Sequence, residues 1–315
     1  MKILLFGKDG QLGREFIPVI GTCSEFLSVG RAECDLADEE QIQVIIQQFK
    51  PDVIINASAY TAVDQAEKEV ELARLVNTQA PTVMAQEAQR LGAAIVHYST
   101  DYVFDGRKQS PYFETDECHP LSVYGSTKYL GELGVEKNCQ RHLIFRTSWV
   151  FSAHGSNFLK TILRLAASKV TLNVIDDQWG APTSTGLIVK ATMTALQRNG
   201  VVKGELEANA QNASRTANWG LFNLVASGET NWHAYAQYVI QRATDLGMGS
   251  DFVLTGSKII PIPSKDYPQL APRPFNSRLD LLKIKDTFDV KIADWREGVD
   301  EELEKIKHMQ AIENA

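Results

Sequence analysis

Over the first half of the chain, short apolar runs alternate with amphipathic stretches of helical length. Lys2–Phe6, Glu25–Val29, Val53–Asn56, Ala94–Ser99 and His142–Thr147 read as strands; Gln11–Ile20, Asp38–Phe49, Val70–Leu91 and Ser122–Lys137 read as crossover helices. This rhythm predicts an α/β protein, a doubly wound parallel sheet of Rossmann type with helices on both faces. Ala80-Pro81 is expected to start or kink a helix, because proline tolerates the first turn but not the interior.

Beyond about Trp149 the rhythm loosens. Lys160–Ser168, Thr185–Arg198, Trp232–Leu246 and Trp295–Lys307 suggest helices, the last on the surface, while Thr171–Ile175 and Leu221–Val225 suggest strands. Lys203–Trp219 is a polar excursion, and prolines 261, 263, 268, 272 and 274 mark an irregular stretch. The expected organisation is a dinucleotide-binding domain over 1–150, completed by about 185–227, and a smaller discontinuous substrate domain from 151–184 and 228–315.

Composition narrows the class without choosing a function. A chain of 315 residues, 44% hydrophobic and 23% charged, is an ordinary globular balance. The net charge of -7 argues against nucleic-acid and membrane-surface partners, which call for a concentrated basic face. Cys23, Cys34, Cys118 and Cys139 show no CxxC pair or regular spacing, and the six histidines show no metal-ligand spacing. With no apolar run long enough for a signal-peptide core or a membrane span, the expectation is a reduced, cytoplasmic protein.

The chemistry begins at Gly7-Lys-Asp-Gly10-Gln-Leu-Gly13, which follows a strand and opens a helix. That context suits a loop turning tightly against a pyrophosphate, with bare glycine backbone and helix N-terminal amides facing the phosphates. Past the second strand, where NAD-preferring sites usually place an acid, stands Arg31, whose guanidinium favours the 2′-phosphate of NADPH. Asp35 and Leu36 on the adenine side leave NADH open.

Ser99-Thr100-Asp101 follows the apolar run from Ala94, which places hydroxyls at the C-terminal end of a central strand, where ligands of open α/β sheets bind. Tyr124 and Lys128, one helical turn apart, are expected on the next helix facing the same crevice. A hydride arriving at a carbonyl carbon leaves charge on oxygen. Tyr124 is then the proton donor, Lys128 the cation that lowers its pKa and binds the nicotinamide ribose, and Thr100 a hydrogen-bond donor to the reacting oxygen.

Further runs carry a resemblance: Asn56-Ala-Ser-Ala-Tyr-Thr61-Ala-Val-Asp64, His97-Tyr-Ser-Thr-Asp-Tyr-Val-Phe104, Phe145-Arg-Thr-Ser-Trp149-Val, Gly180-Ala-Pro-Thr183 and Arg273-Pro-Phe-Asn-Ser-Arg278-Leu. With them the chain resembles the extended short-chain dehydrogenase/reductase superfamily and, within it, the dTDP-4-dehydrorhamnose reductase family over essentially its full length. The resemblance implies reduction of the 4-keto group of dTDP-4-dehydro-β-L-rhamnose to dTDP-β-L-rhamnose by NADPH or NADH, the last step of dTDP-L-rhamnose biosynthesis. It also implies that Gly10, Gln11 and Leu12 meet the pyrophosphate, Asp35 and Leu36 the adenine, and Ala59, Tyr60 and Thr61 the middle of the cofactor. Thr100, Asp101 and Trp149 would line the sugar; Arg273, Asn276 and Ser277 would meet the nucleotide diphosphate.

Two departures stand out. Some family members hold magnesium with glutamates at a dimer interface; Glu15 matches the first, but Gly186 and Lys305 occupy the later positions, so Mg2+ is weakly supported and the protein is expected as a monomer or homodimer. The 203–219 stretch is longer than the family's usual connection. Two alternatives use the same fold. A nucleotide-sugar epimerase or dehydratase shares the Tyr-Lys pair, but dehydratases follow the strand with Thr-Asp-Glu, and this chain has Tyr102. A cofactor-binding regulatory subunit, similar to the β subunit of methionine adenosyltransferase, has no need to retain Thr100, Tyr124, Lys128 and the Arg273 segment together.

Overall fold

The computed structural model describes residues 1–21, 25–202 and 217–313. Cys23 and most of the polar excursion, residues 203–216, lie outside the described residues.

The first half of the chain folds as β1 (Lys2–Phe6), α1 (Gln11–Ile20), β2 (Glu25–Val29), α2 (Glu39–Phe49), β3 (Val53–Asn56), α3 (Val63–Ala66), α4 (Val70–Arg74), α5 (Ala80–Leu91), β4 (Ala94–Thr100), α6 (Val123–Asn138) and β5 (His142–Thr147). The second half adds β6 (Val150–Phe151), α7 (Phe158–Ala166), β7 (Leu172–Ile175), β8 (Trp179–Gly180), β9 (Thr183–Ser184), α8 (Thr185–Arg198), β10 (Gly220–Asn223), β11 (Thr230–Asn231), α9 (Trp232–Asp245), β12 (Ile259–Ile262), α10 (Leu282–Phe288) and α11 (Trp295–Glu313).

Six strands form one sheet in the order β10-β5-β4-β3-β1-β2, every neighbouring pair parallel. The chain steps from β1 outward to β2 and then crosses back to β3 on the other side of β1. The crossovers therefore diverge between β1 and β3, and the loops after those strands open a crevice at their carboxyl ends. β2 is the edge strand, because residues 30–38 run as turns and loop into α2 without pairing outside it. The sheet is thus doubly wound as expected, but among the described residues no strand pairs outside β2, where the 3-2-1-4-5-6 order has its strand 3.

Alternation along the strands divides the core. In β1, Ile3 and Leu5 pack toward Phe16 and Ile188, while Leu4 and Phe6 pack toward Ile42 and Met84. Both faces are buried, which is why these strands read as continuous apolar runs rather than alternating ones. A separate cluster joins Phe151, Leu159, Tyr235, Ile259, Trp295 and Leu303. Ile284, Phe288 and Val290 return to the first cluster, so the α10 region belongs to the sheet's core rather than to this one.

Helix ends follow from local chemistry. Asp38 caps α2 by accepting from the Glu40 and Gln41 amides, and the Ser122 hydroxyl caps α6 by accepting from Gly125. Ala80-Pro81 behaves in a less familiar way. The helix from Val70 to Leu91 does not break there; it widens to a π-turn over Leu75–Gln79, with the Ala80 amide bonded to Leu75 O. Pro81 has no N–H to offer the Asn77 carbonyl one turn back, which favours such a widening.

Candidate active site

A cleft of about 470 Å³ opens at the divergence of β1 and β3. It gathers Gly7, Gly10, Gln11, Leu12, Arg31, Asp35 and Leu36 from the first half of the sheet, Ala59, Tyr60 and Thr61 from the loop after β3, and Tyr124 and Lys128 from α6. Gly7 sits at φ +92°, and the amides of Gly7 and Lys8 both reach the Val29 carbonyl, pinning the loop to the end of β2. Gly13 is no lining residue. It packs so closely under the loop that a Cβ there would lie 2.0 Å from Gly7 O.

No side chain caps the N-terminus of α1, so its first amides face the cleft unpaired by a cap. The Ser99 and Thr147 hydroxyls also line the cleft and are buried without a hydrogen-bond partner. Free amides and orphaned hydroxyls suit a polar, anionic dinucleotide. At the rim Arg31 is exposed, while Lys8 Nζ pairs with Glu33, whose other oxygen accepts the Gly30 amide at 2.8 Å.

Thr100 ends β4 and Tyr124 begins α6, and their hydroxyls are hydrogen-bonded. Thr100 Oγ1 also lies 3.1 Å from Asp101 Oδ1. Asp101 is buried, its Oδ2 has no partner, and burial pushes its carboxyl up to about 7 although the Ser277 and Thr100 hydroxyls oppose the shift. Tyr102 stacks edge-on against Tyr124 with ring centroids 5.6 Å apart.

The expected depression of Tyr124 by Lys128 is corrected by the structure. Burial, reinforced by Asp101 and opposed by Thr100, pushes Tyr124 from its ordinary 10 up to about 12, and Lys128 is not among the causes. Lys128 is itself buried and brought down to about 8 by desolvation, against the opposing charge of Glu132. Its Nζ is turned to the Tyr98 carbonyl at 2.5 Å. His97 Nε2 lies 3.4 Å from it. Asn56 Oδ1 accepts from the Ser58 amide, so its Nδ2 faces His97 Nδ1 and the neutral ring carries its proton on Nε2. The ammonium therefore has the Tyr98 carbonyl, not the imidazole, as its acceptor.

Two supports escaped the sequence reading. Asn77, buried in the π-turn, accepts the Tyr60 amide at 2.8 Å and donates to Tyr60 O and to Thr127 Oγ1, tying the 59–61 loop to the helix of Tyr124 and Lys128. Pro81 was the available signal for the widened turn. Arg146 on β5 and Glu132 on α6 form a bidentate pair, 2.9 and 2.7 Å, with both side chains under 5% exposed. A strand arginine matching a helix acid fourteen residues away is invisible without the fold.

Trp149, which is not among the residues lining the cleft, adopts φ +48°, a conformation bulky residues rarely accept. Its ring stacks on Trp232 at 3.7 Å and presses on Gly180, where a Cβ would lie 2.9 Å from the indole. Ser277 is close by as well, its Cβ 3.2 Å from the same added Cβ. Gly106, at φ +70°, lets Pro274 come close enough that a Cβ would meet it at 2.5 Å, which brings the Arg273 segment beside the Asp101 turn. The expected diphosphate contact of Asn276 does not fit its environment. Its amide donates to Lys108 O and Ser110 O, its oxygen accepts from Arg278, and it is 5% exposed. It is a tie between segments with both amide hydrogens spent.

Glu15 lies apart from the cleft. Lys305 Nζ holds it at 3.0 Å and Glu302 at 2.8 Å, so an ammonium stands where a cation would be needed. Among the described residues no group of three His, Cys, Asp or Glu side chains could hold a metal, and no helix is long and apolar enough to cross a membrane.

A family model described as the RmlD substrate binding domain matches residues 1–308. The dTDP-4-dehydrorhamnose reductase of Salmonella typhimurium is 42% identical over 303 residues, 95% of this chain and 96% of that one. The Escherichia coli K12 protein of the same name is 40% identical over 99% of this chain and all of its own. Among solved structures, a Clostridium acetobutylicum dTDP-4-dehydrorhamnose reductase superposes with TM-score 0.85 at 30% identity, covering 98% of this chain and 100% of that one. The Bacillus anthracis reductase in complex with NADP gives 0.85 at 26%, covering 96% and 99%. A UDP-glucose 4-epimerase of Thermotoga maritima, 16% identical with TM-score 0.75 over 98% of this chain and 100% of that one, shares the fold. Family match and identity both run nearly end to end, and the chain belongs to the dTDP-4-dehydrorhamnose reductase family.

Proposed function

We propose that the protein reduces the 4-keto group of dTDP-4-dehydro-β-L-rhamnose to dTDP-β-L-rhamnose, closing dTDP-L-rhamnose biosynthesis. The observation that carries the reading is the meeting of Thr100, Tyr124 and Lys128 at the crevice that also holds the glycine loop. NADPH supplies the hydride, with NADH as a second donor. Gly10, Gln11 and Leu12 hold its pyrophosphate, Arg31 its 2′-phosphate, Asp35 and Leu36 its adenine side, and Ala59 to Thr61 its middle.

With a pKa near 12, Tyr124 carries its proton throughout the neutral range, so it enters the reaction in the donor form. An alkoxide is more basic than a phenolate. The proton therefore moves toward the sugar oxygen once hydride arrives, without a prior depression of the phenol. Thr100 hydrogen-bonds that oxygen as charge builds, and Lys128, held by the Tyr98 carbonyl at the edge of the cleft, binds the nicotinamide ribose and orients the hydride donor. Trp149 and Asp101 flank the sugar, and Arg273 with Ser277 meets the diphosphate. The segments 151–184 and 228–315 mainly serve the substrate, and residues 281–292 complete the sheet's core.

Tyr102 supports reduction over elimination, because no carboxylate follows Asp101 to abstract a proton. The protein acts in the cytoplasm as a monomer or homodimer without need of Mg2+, Glu15 being neutralised by Lys305. The test is oxidation of NADPH on adding the keto sugar nucleotide, with the product identified by NMR. Stoichiometric NADPH consumption and the rhamno product are expected; no consumption, or a 4-epimeric product, overturns the assignment.

A further inference from the structure

Asp64 and Arg273 are 209 residues apart and make a bidentate pair, Nη1 to Oδ1 at 3.2 Å and Nη2 to Oδ2 at 2.9 Å. The same carboxylate accepts the Ala271 amide at 2.9 Å, and Arg273 Nη1 returns a bond to the Ala271 carbonyl at 2.7 Å. One acid thus fixes both the plane of the guanidinium and the backbone that carries it.

Counting donors shows what is left. Arg273 has five N–H groups. Both Nη1 hydrogens are used, by Asp64 and Ala271, and one Nη2 hydrogen goes to Asp64. The Nε hydrogen and the second Nη2 hydrogen have no partner among the described residues. These two lie on the same side of the guanidinium and form its second bidentate edge, the shape that matches an anionic phosphate. Tyr102 feels the charge of both Arg273 and Asp64, and it stacks on Tyr124, so the pair stands beside the candidate chemistry. Asp64 itself lies in the first turn of α3, three residues after Thr61, which lines the cofactor cleft.

We infer that Asp64 is a positioning residue for the nucleotide sugar: it holds Arg273 end-on so that the side-on edge is presented to the substrate diphosphate. The inference rests on the proposed contact between Arg273 and that diphosphate. Without Asp64, the arginine between Pro272 and Pro274 is free to change rotamer and must be ordered on binding.

The test is calorimetric titration of the NADPH-loaded full-length protein with thymidine 5′-diphosphate, alongside steady-state kinetics, for Asp64→Asn, Arg273→Ala and the double variant. Asparagine keeps an acceptor for the Ala271 amide, which preserves the local fold. Asp64→Asn is expected to weaken thymidine diphosphate about tenfold and to raise KM for the keto sugar nucleotide more than it lowers kcat. It should have no further effect in the Arg273→Ala background, and Asp64→Glu should recover part of the loss. If Arg273→Ala weakens the nucleotide while Asp64→Asn leaves it unchanged or tighter, or if Asp64→Asn weakens it equally without Arg273, the positioning role is wrong. If Arg273→Ala itself has no effect, the diphosphate contact is wrong.

Discussion

Lys128 Nζ donates to the carbonyl oxygen of Tyr98, binding the helix that bears Tyr124 to the strand that ends in Thr100. A cation so deeply placed has a cost, seen in its pKa of about 8. Lys128→Met, which fills the same volume without charge, should keep the melting temperature within a few degrees while kcat falls about a hundredfold or more. Differential scanning fluorimetry beside single-turnover kinetics separates the two effects; a large drop in melting temperature would make the lysine chiefly structural.

Tyr124→Phe removes the proton donor and little else. We expect kcat to fall roughly 10²- to 10⁴-fold with the NADPH dissociation constant within a factor of about two. Near-normal turnover in this variant would transfer the donor role elsewhere.

Asp101 supplies a pH dependence of stability. Its carboxyl rises from 3.8 unfolded to about 7 folded, so the native state keeps a proton the unfolded chain releases. The stabilisation from holding that proton is complete below about 4 and is lost as pH rises to about 7. Asp101→Asn has no charge to bury. Its melting temperature relative to the parent should climb between pH 4 and 7 and then level off, as urea or thermal melts at stepped pH would show; a constant gap would mean the carboxyl titrates normally.

Arg146 and Glu132 are both almost fully buried. Arg146→Ala leaves the Glu132 charge unpaired inside the protein and should cost about 3–5 kcal/mol in urea unfolding. The double change Arg146→Leu with Glu132→Leu should recover much of this, because neither charge is then stranded.

Arg31 stands exposed at the rim with the Lys8–Glu33 pair nearby. Arg31→Ala should raise KM for NADPH about tenfold and leave KM for NADH nearly unchanged. Equal effects on both cofactors would remove it from the 2′-phosphate.

The strands and helices of the sheet were legible because each is a run of one period, buried on both faces or on one stripe. β1, β2, β3, β5, α1 and α8 begin and end where the pattern places them. Residues 30–38 could have held a further strand; only the pairing shows that β2 is the edge. The glycine loop and the Thr100, Tyr124 and Lys128 set were legible as local spacings at the right strand ends. The electrostatics were not. Spacing places Lys128 one turn from Tyr124, but its rotamer is decided by the Tyr98 carbonyl, a long-range acceptor no local pattern encodes. Asn276 misled for a similar reason, since its polar side chain is consumed by Lys108, Ser110 and Arg278.

The face-to-face stacking of Trp149 on Trp232, 3.7 Å apart at 17°, has an optical consequence. Two indoles so close couple their strong electronic transitions, and such a pair gives a couplet in the far-ultraviolet circular dichroism that isolated tryptophans lack. One partner carries a strained backbone and belongs to the proposed sugar contacts, so a ligand that displaced its ring would change that couplet. The indole pair would then report occupancy without label or turnover.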